Sequence, residues 1–228
     1  GYKIKQDSRS KKIASKLKAG PVSFFNSALR SILGKIIALA ELQNAKKKYP
    51  GYRQSQKIKN LDEHKVVNVN GKWSDSGLFL QMTDEDLSVI EDCNLDCIIR
   101  CGSGILRGKI LDISEYGVIS FHHGDNRTNR GGPSGFWEVL KGEPSSGFII
   151  QKLNQELDGG EVLFRGNLMS SSTWLANNAQ LLAKSNVFMT QLLLDLAKNQ
   201  RLPAPEGVRL HGNKLYKLDS SLILFKYL

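Results

Sequence analysis

Cysteines, long apolar runs and low-complexity tracts are all scarce in this chain. It has only three cysteines among 228 residues, an odd number placed close together, which argues against the disulfide framework of a small secreted domain. No uncharged apolar run reaches the ~18 residues that a membrane-spanning helix needs. Residues 1–6 are polar and do not resemble the start of a secretory signal. We therefore expect a cytoplasmic protein without a membrane span.

Charge is distributed unevenly along the chain. Residues 1–60 contain 15 lysines and arginines but only two acidic residues, whereas residues 61–228 contain 17 basic and 20 acidic residues. A basic segment on a nearly neutral domain would be attracted to a polyanion such as tRNA, DNA or an anionic membrane surface. No aromatic-rich RNA-binding motif accompanies the basic residues, so a solvated helix surface explains them equally well. The length and the 40% hydrophobic content predict one domain, with or without an extended arm.

The spacing of apolar residues predicts strands that alternate with helices. Helical spacing runs through residues 11–48, where Pro21 can begin a helix, and through residues 173–199. Thr83 and the acidic residues after it predict another helix start, and shorter helices are expected near residues 110–113 and from Pro133. Short apolar runs predict strands at residues 64–69, 96–101, 116–122, 147–153 and 161–168. This order predicts an α/β fold with a mixed sheet, in which residues 96–101 and 116–122 are neighbouring parallel strands.

Two polar residues share one face of the strand predicted at residues 116–122. Side chains alternate along a strand, so Ser120 and His122 project together while Phe121 projects oppositely. Ligand crevices in α/β sheets form at the carboxyl ends of strands. Residues 123–133, which follow, are polar and glycine-rich and lead to a predicted helix, so their backbone amides could bind an anion. The alternative is an ordinary surface loop.

A second polar cluster lies at residues 155–161, between the last two predicted strands. Asp158 is followed by two glycines, and on its own this sequence is typical of a hairpin turn. In combination with the first cluster, however, it resembles the folate-dependent formyltransferases, which include methionyl-tRNA, glycinamide ribonucleotide and amino-sugar formyltransferases. That family has Asn-x-His at a strand end, then Arg-Gly, Gly-Glu, a strand and Leu-Asp-x-Gly. The matching residues here are Ser120-Phe121-His122, Arg130-Gly131, Gly142-Glu143, the strand at 147–153 and Leu157-Asp158-Gly159-Gly160.

The resemblance covers about residues 61–200 and implies a Rossmann-like fold with a mixed, largely parallel sheet and flanking helices. It implies transfer of a formyl group from 10-formyltetrahydrofolate to an amine, with His122, Asp158 and Ser120 as the catalytic residues. Attack on the formyl carbon creates an oxyanion that needs hydrogen-bond donors, and the amine must lose a proton. His122 would lie beside the formyl oxygen, and Asp158 would tune its imidazole. Ser120 stands where the family has asparagine, and its hydroxyl can donate only from a shorter side chain.

The resemblance also implies which residues contact the two substrates. The acceptor is expected to be a small amine, most simply an amino sugar on a nucleotide, because only 29 residues follow Asn199, where a tRNA-binding domain would lie. The alternative acceptor is methionyl-tRNA, which the basic residues favour. Arg127 and Arg130 could grip a phosphate, although a solvated loop explains Arg127 as well. The folate-binding set is Gly104, Ile105, Leu106, Gln155 and Glu156, and the acceptor-binding set is Asn126, Arg127 and Arg130.

Metal and dinucleotide sites are weaker interpretations. His122, His123 and Asp125 could hold a metal, but adjacent residues on an extended chain point to opposite faces. Cys97 and Cys101 lie on one predicted strand and would be about 13 Å apart, too far for one metal ion. We therefore predict no metal site. The glycines after residue 101 lack the third glycine of a dinucleotide-binding fingerprint.

A different class of function is a non-catalytic binding module that keeps the fold. Ser120 in place of asparagine favours it, and retention of both His122 and Asp158 opposes it. The domain organisation expected from the resemblance is a basic helical arm or incomplete first βα unit at residues 1–60, a formyltransferase-like domain at 61–200, and a C-terminal extension at 201–228.

Overall fold

The computed structural model describes residues 20–54, 66–102, 104–128, 130–156, 159–207 and 215–228. The helices in these residues are α1 (Pro21–Lys48), α2 (Asp84–Glu91), α3 (Phe136–Lys141), α4 (Trp174–Asn199) and α5 (Ser221–Tyr227), with a 3₁₀ helix at Lys109–Asp112. The strands are β1 (Lys72–Trp73), β2 (Phe79–Gln81), β3 (Ile98–Arg100), β4 (Ile105–Arg107), β5 (Val118–His122), β6 (Arg130–Gly131), β7 (Ser145–Lys152), β8 (Glu161–Met169) and β9 (Leu215–Tyr216).

The main sheet has four strands in the order β3-β5-β7-β8. β3 and β5 are parallel neighbours, as predicted, and β7 runs antiparallel to both β5 and β8. A smaller sheet has the order β1-β2-β4, and β6 pairs with β9. The predicted mixed α/β fold with flanking helices is therefore confirmed. The main sheet is not largely parallel, however, because two of its three strand pairings in the described residues are antiparallel.

Helices cover both faces of the main sheet. On one face, Ile119 and Ile150 pack against Met189 and Leu192 of α4. On the other face, Val118 packs against residues of α2 and of the 3₁₀ helix. Because side chains alternate along β5, the face that carries Val118 also carries Ser120 and His122. The apolar cover on this side contacts the start of β5, and the polar residues follow at its carboxyl end.

The predicted cap of α2 is present. The Thr83 hydroxyl accepts a hydrogen bond from the Asp86 backbone N–H at 3.1 Å, and the Asp86 carboxylate accepts one from the Thr83 N–H at 3.0 Å. This reciprocal pair satisfies two amides at the start of the helix. The other Asp86 oxygen accepts the Asn70 N–H at 2.7 Å, which ties the preceding segment to α2.

α1 begins at Pro21, as predicted, and packs against α4 and α5. Its buried residues Leu33 and Ile37 join a cluster with Phe136 and Leu224. The Glu41 carboxylate accepts the Leu175 N–H of α4 at 2.8 Å. In the described part of the chain, α1 is the one helix long and apolar enough to cross a membrane by length and composition, and 11% of its most apolar 18-residue stretch is buried. Its outward-facing side exposes Val22, Phe25, Ile32, Ile36 and Leu39.

Two local predictions are wrong in part. Residues 66–69 form no strand; Val69 is buried by packing beside α2, while residues 64–65 lie outside the described residues. The helix expected from Pro133 begins only at Phe136, because Gly135 adopts a left-handed conformation with φ of 70°. A Cβ at Gly135 would lie 3.0 Å from the Asn178 backbone nitrogen, so the close contact with α4 also requires glycine there. The predicted helical residues 11–19 lie outside the described residues.

Candidate active site

A row of polar side chains crosses three strands of the main sheet at the end of β5. In the strand register, Ser120 lies opposite Arg100 of β3 and opposite Gln151 of β7. Ser120 and Gln151 are each 1% exposed, and His122, two residues further along β5, is 8% exposed. Because burying polar groups is costly unless they are hydrogen-bonded, this row is the feature of the sheet that most calls for a functional explanation.

Arg100 is the member of the row that the motif comparison missed. Its Nη1 lies 3.5 Å from Ser120 Oγ, and its Nη2 donates to the Gly104 carbonyl. The Ser120 hydroxyl is also 3.3 Å from the Phe121 carbonyl, to which it can donate. The sequence did contain a signal, since Arg100 is a basic residue directly after two isoleucines in a predicted strand.

The predicted folate-binding segment Gly104, Ile105 and Leu106 forms the start of β4 and the turn before it. The Ile105 N–H donates to the Leu78 carbonyl at 2.9 Å, so β2 holds this segment in place. Gly104 has φ of +90°, and a Cβ there would lie 2.5 Å from the Trp73 ring. Only glycine therefore fits where the turn carbonyl meets Arg100.

The loop after β7 is tied to the polar row through Gln151. Its side-chain oxygen accepts the Gly160 N–H at 3.1 Å. A Cβ on Gly160 would lie 2.3 Å from the Lys152 carbonyl oxygen, so this approach also needs glycine. Within the loop, Asn154 accepts the Glu156 N–H at 2.9 Å and donates to the Gly159 carbonyl at 3.0 Å. Asp158, the predicted catalytic carboxylate, lies outside the described residues.

Other predicted binding residues border the same region. The Gly108 N–H, at the end of β4, donates to the Gln155 side chain at 3.5 Å. Arg130 and Glu156 form an ion pair with an N–O distance of 3.5 Å. The structure thus brings a predicted acceptor residue, Arg130, next to a predicted folate residue, Glu156.

Asn126 and Arg127 belong to a separate network around Asp125. Arg165 of β8 donates to Asp125 at 2.6 Å and to Asn126 Oδ1 at 2.9 Å, and Arg127 donates to both Asp125 oxygens. Arg165 also pairs with Glu206 at 2.7 Å. Burial alone would raise the pKa of Asp125, but the hydrogen bonds from Arg127 and the charges of both arginines outweigh it and lower that pKa. In this structure Arg165 ties Asp125 and Asn126 to β8, and Arg127 bonds Asp125 within the loop.

His123 points away from His122. Its ring stacks on Phe121 with centroids 5.4 Å apart, and its Nε2 lies 2.9 Å from Ser185 Oγ on α4. When the Ser185 hydroxyl donates to the Leu182 carbonyl, 3.2 Å away, the imidazole is the donor to Ser185. Burial, followed by the charge of His122, lowers the pKa of His123 to about 4. The two histidines therefore face opposite sides of the sheet, which excludes a metal centre built on both.

Known proteins share part of this sequence, although no family model matches the chain. Methionyl-tRNA formyltransferase from Clostridium botulinum is 33% identical over 82 residues, which cover 36% of this chain and 26% of that protein. The enzyme of the same name from Fusobacterium nucleatum is 26% identical over 137 residues, or 60% of this chain and 41% of that protein. These matches support a formyltransferase-family domain in this chain.

This chain spans less than half the length of these curated relatives. Among solved structures, it is similar to the formyltransferase PseJ from Anoxybacillus kamchatkensis, whose crystal structure is a complex with UDP-4,6-dideoxy-4-formamido-L-AltNAc and tetrahydrofolate. That similarity has a TM-score of 0.45 and 20% identity, and covers 55% of this chain and 66% of that chain. The family resemblance read from the motifs is confirmed.

Proposed function

We propose that this domain transfers a formyl group from 10-formyltetrahydrofolate to an amine. The observation that carries the proposal is the buried placement of Ser120 and His122 on one face at the end of β5, within a domain of this family. When the amine nitrogen attacks the formyl carbon, the carbonyl electron pair moves to oxygen, and donors already fixed around that oxygen stabilise the charge. Collapse then breaks the bond to the folate nitrogen, which takes up the proton that the amine loses.

In this proposal, His122 donates to the formyl oxygen, and Asp158 orients the imidazole and helps to move the proton. Ser120 supplies the neighbouring donor. The chemistry of the groups present fits a formyl carbonyl, because hydroxyl, imidazole and guanidinium donors converge on one strand end. Gly104, Ile105 and Leu106 would contact the folate through their backbone. Gln155 and Glu156 would border it, which is supported by the contact between Gln155 and Gly108.

The proposed acceptor is an amino sugar carried on a nucleotide. Arg130, whose side chain is 13% exposed, would bind a phosphate of the acceptor. Asn126 and Arg127 are the other candidate acceptor-binding residues. Methionyl-tRNA is the second acceptor, favoured by the names of the curated relatives and by the basic residues 1–60. The three cysteines are free thiols, in keeping with our proposal that the reaction takes place in the reducing cytoplasm.

The second candidate function is a binding protein that has lost catalysis. Ser120 favours it, because the shorter side chain replaces an amide that the family resemblance associates with catalysis. The two functions are separated by measuring turnover and binding on the same sample. Purified protein is mixed with 10-formyltetrahydrofolate and either UDP-linked amino sugars or charged methionyl-tRNA, and the release of tetrahydrofolate is followed by absorbance.

Turnover by the unmutated protein, together with a much lower rate for His122→Ala, would support the enzymatic function. Ser120→Ala should lower the rate about a hundredfold, the usual cost of one oxyanion donor, while 5-formyltetrahydrofolate binding by calorimetry stays within experimental error. Binding without turnover on any acceptor would support the binding protein. If neither turnover nor binding is detected in folded protein, both functions are wrong.

A further inference from the structure

Ser120 alone is a poor oxyanion donor. Serine carries a hydroxyl on Cβ where asparagine carries a carboxamide, so its donor reaches less far. The Ser120 hydroxyl is also already within 3.3 Å of the Phe121 carbonyl. Asn126, the nearby amide in sequence, has its side-chain oxygen bonded to Arg165 at 2.9 Å. At the position where the family has an amide, a second hydrogen-bond donor is therefore needed beside Ser120.

Arg100 lies where it can supply this second donor. The parallel register sets Arg100 directly beside Ser120, so their side chains lie on the same face of the sheet, the face that carries His122. Arg100 Nη1 reaches within 3.5 Å of Ser120 Oγ. Its Nη2 is bound to the Gly104 carbonyl, which fixes the plane of the guanidinium at the turn proposed to contact the folate.

We propose that Arg100 and Ser120 together replace the family's amide as the oxyanion donor, with Arg100 supplying the charge. This inference rests on the proposed formyl transfer. As the C–N bond forms and the carbonyl pair moves to oxygen, the negative charge develops on the face that carries Arg100, Ser120 and His122. A guanidinium stays protonated throughout and gives charge-assisted hydrogen bonds, roughly twice as strong as neutral ones. When the intermediate collapses, the pair returns to the carbonyl and the bond to the folate nitrogen breaks, so Arg100 gains and loses no proton.

The test compares Arg100→Met, which keeps an unbranched apolar stem, with Arg100→Lys, which keeps the charge but loses the planar fork. Arg100→Met should lower kcat about a hundredfold and leave the KM for 10-formyltetrahydrofolate nearly unchanged, because the lost interaction forms only in the transition state. The kcat of Arg100→Lys should lie between that of the unmutated protein and that of Arg100→Met. The decisive variant is the double substitution Arg100→Met with Ser120→Asn, which restores the family's amide and should recover most of the lost kcat.

A role for Arg100 in packing alone predicts a different result. Both kcat and folding would then suffer, and Ser120→Asn would rescue neither. Equal kcat for Arg100→Met and the unmutated protein would overturn the inference while leaving formyl transfer intact. An unmutated protein that binds 5-formyltetrahydrofolate but turns over no acceptor would instead overturn the proposed function, and this inference with it. If Arg100→Met does not fold, Arg100→Gln, which can still donate to Gly104 but is uncharged, takes its place with the same expected loss and the same rescue.

Discussion

Lowering the pH should destabilise the domain through His123 before its carboxylates titrate. The pKa of His123 is about 4 in the folded protein, because the ring is buried and lies near His122, against an ordinary 6.5 in the unfolded chain. Between these two values the unfolded state binds a proton that the folded state does not. The free energy of unfolding therefore falls as the pH falls from 6.5 towards 4, and above about 7.5 this histidine no longer contributes to the pH dependence.

The size of the effect follows from the same two pKa values. Each pKa unit corresponds to about 1.36 kcal/mol, so the full gap is worth about 3 kcal/mol. Between pH 7.5 and pH 5, linkage gives a loss of about 2 kcal/mol. The pKa of Glu206 is lowered by its hydrogen bond from Arg165, and that of Asp125 is lowered as well. These carboxylates lose their stabilising effect only below their unfolded pKa values, so the window above pH 5 reports mainly on histidine.

Urea unfolding between pH 7.5 and 5 measures this loss. His123→Phe keeps a ring that can stack on Phe121 but cannot titrate, so its unfolding free energy should lose the slope of about 2 kcal/mol over the window. The matched control is His122→Asn, on the opposite face, which should keep most of the slope. The reasoning is refuted if the unmutated protein is equally stable at both pH values, or if His123→Phe keeps the full slope.

Three further substitutions test the packing around the site. Arg165→Met strips the buried Asp125 of one cation and should lower the free energy of unfolding by about 3 kcal/mol; a loss equal to that of Arg165→Lys would contradict this. Asn177→Leu removes a fully buried side chain bonded to the Gly135 carbonyl and the Ser146 hydroxyl, and urea unfolding should show a loss of at least ~2 kcal/mol. Gly104→Ala forces a Cβ against Trp73 at φ of +90°; thermal melting should show a loss of about 2 kcal/mol, and calorimetry should show weaker folate binding, whereas unchanged affinity would remove Gly104 from the proposed folate site.

Local periodicity predicted the parts of the fold that depend on neighbouring residues. The β-branched run before His122 gave a strand, and alternation along it put Ser120 and His122 on one face. The polar and apolar residues after Thr173 gave the long helix α4, because the helical period repeats over many turns. The family motifs then predicted that the candidate site lies at the end of this strand.

Contacts between distant residues could not be predicted in this way. Arg100 meets Ser120 only through the register of β3 on β5, which no local pattern encodes. Arg165 and Asp125 are 40 residues apart in sequence, so the sequence did not show that Asn126 and Arg127, predicted to bind the acceptor, lie in a network with β8. The run at residues 64–69 has strand-forming side chains, yet Val69 is buried without strand pairing.

The packing of α1 against α5 has a consequence for the order in which the protein folds. Asn26 accepts the Ser221 hydroxyl, and Glu41 accepts the Tyr227 hydroxyl, across 195 and 186 residues of sequence respectively. α1 is therefore synthesised early but cannot complete its packing until the chain through Tyr227 has left the ribosome. Until then Leu33 and Ile37 lack Leu224 of α5, which belongs to the cluster that buries them. Contacts over such long loops also close slowly, so docking of α1 should be a late event in folding.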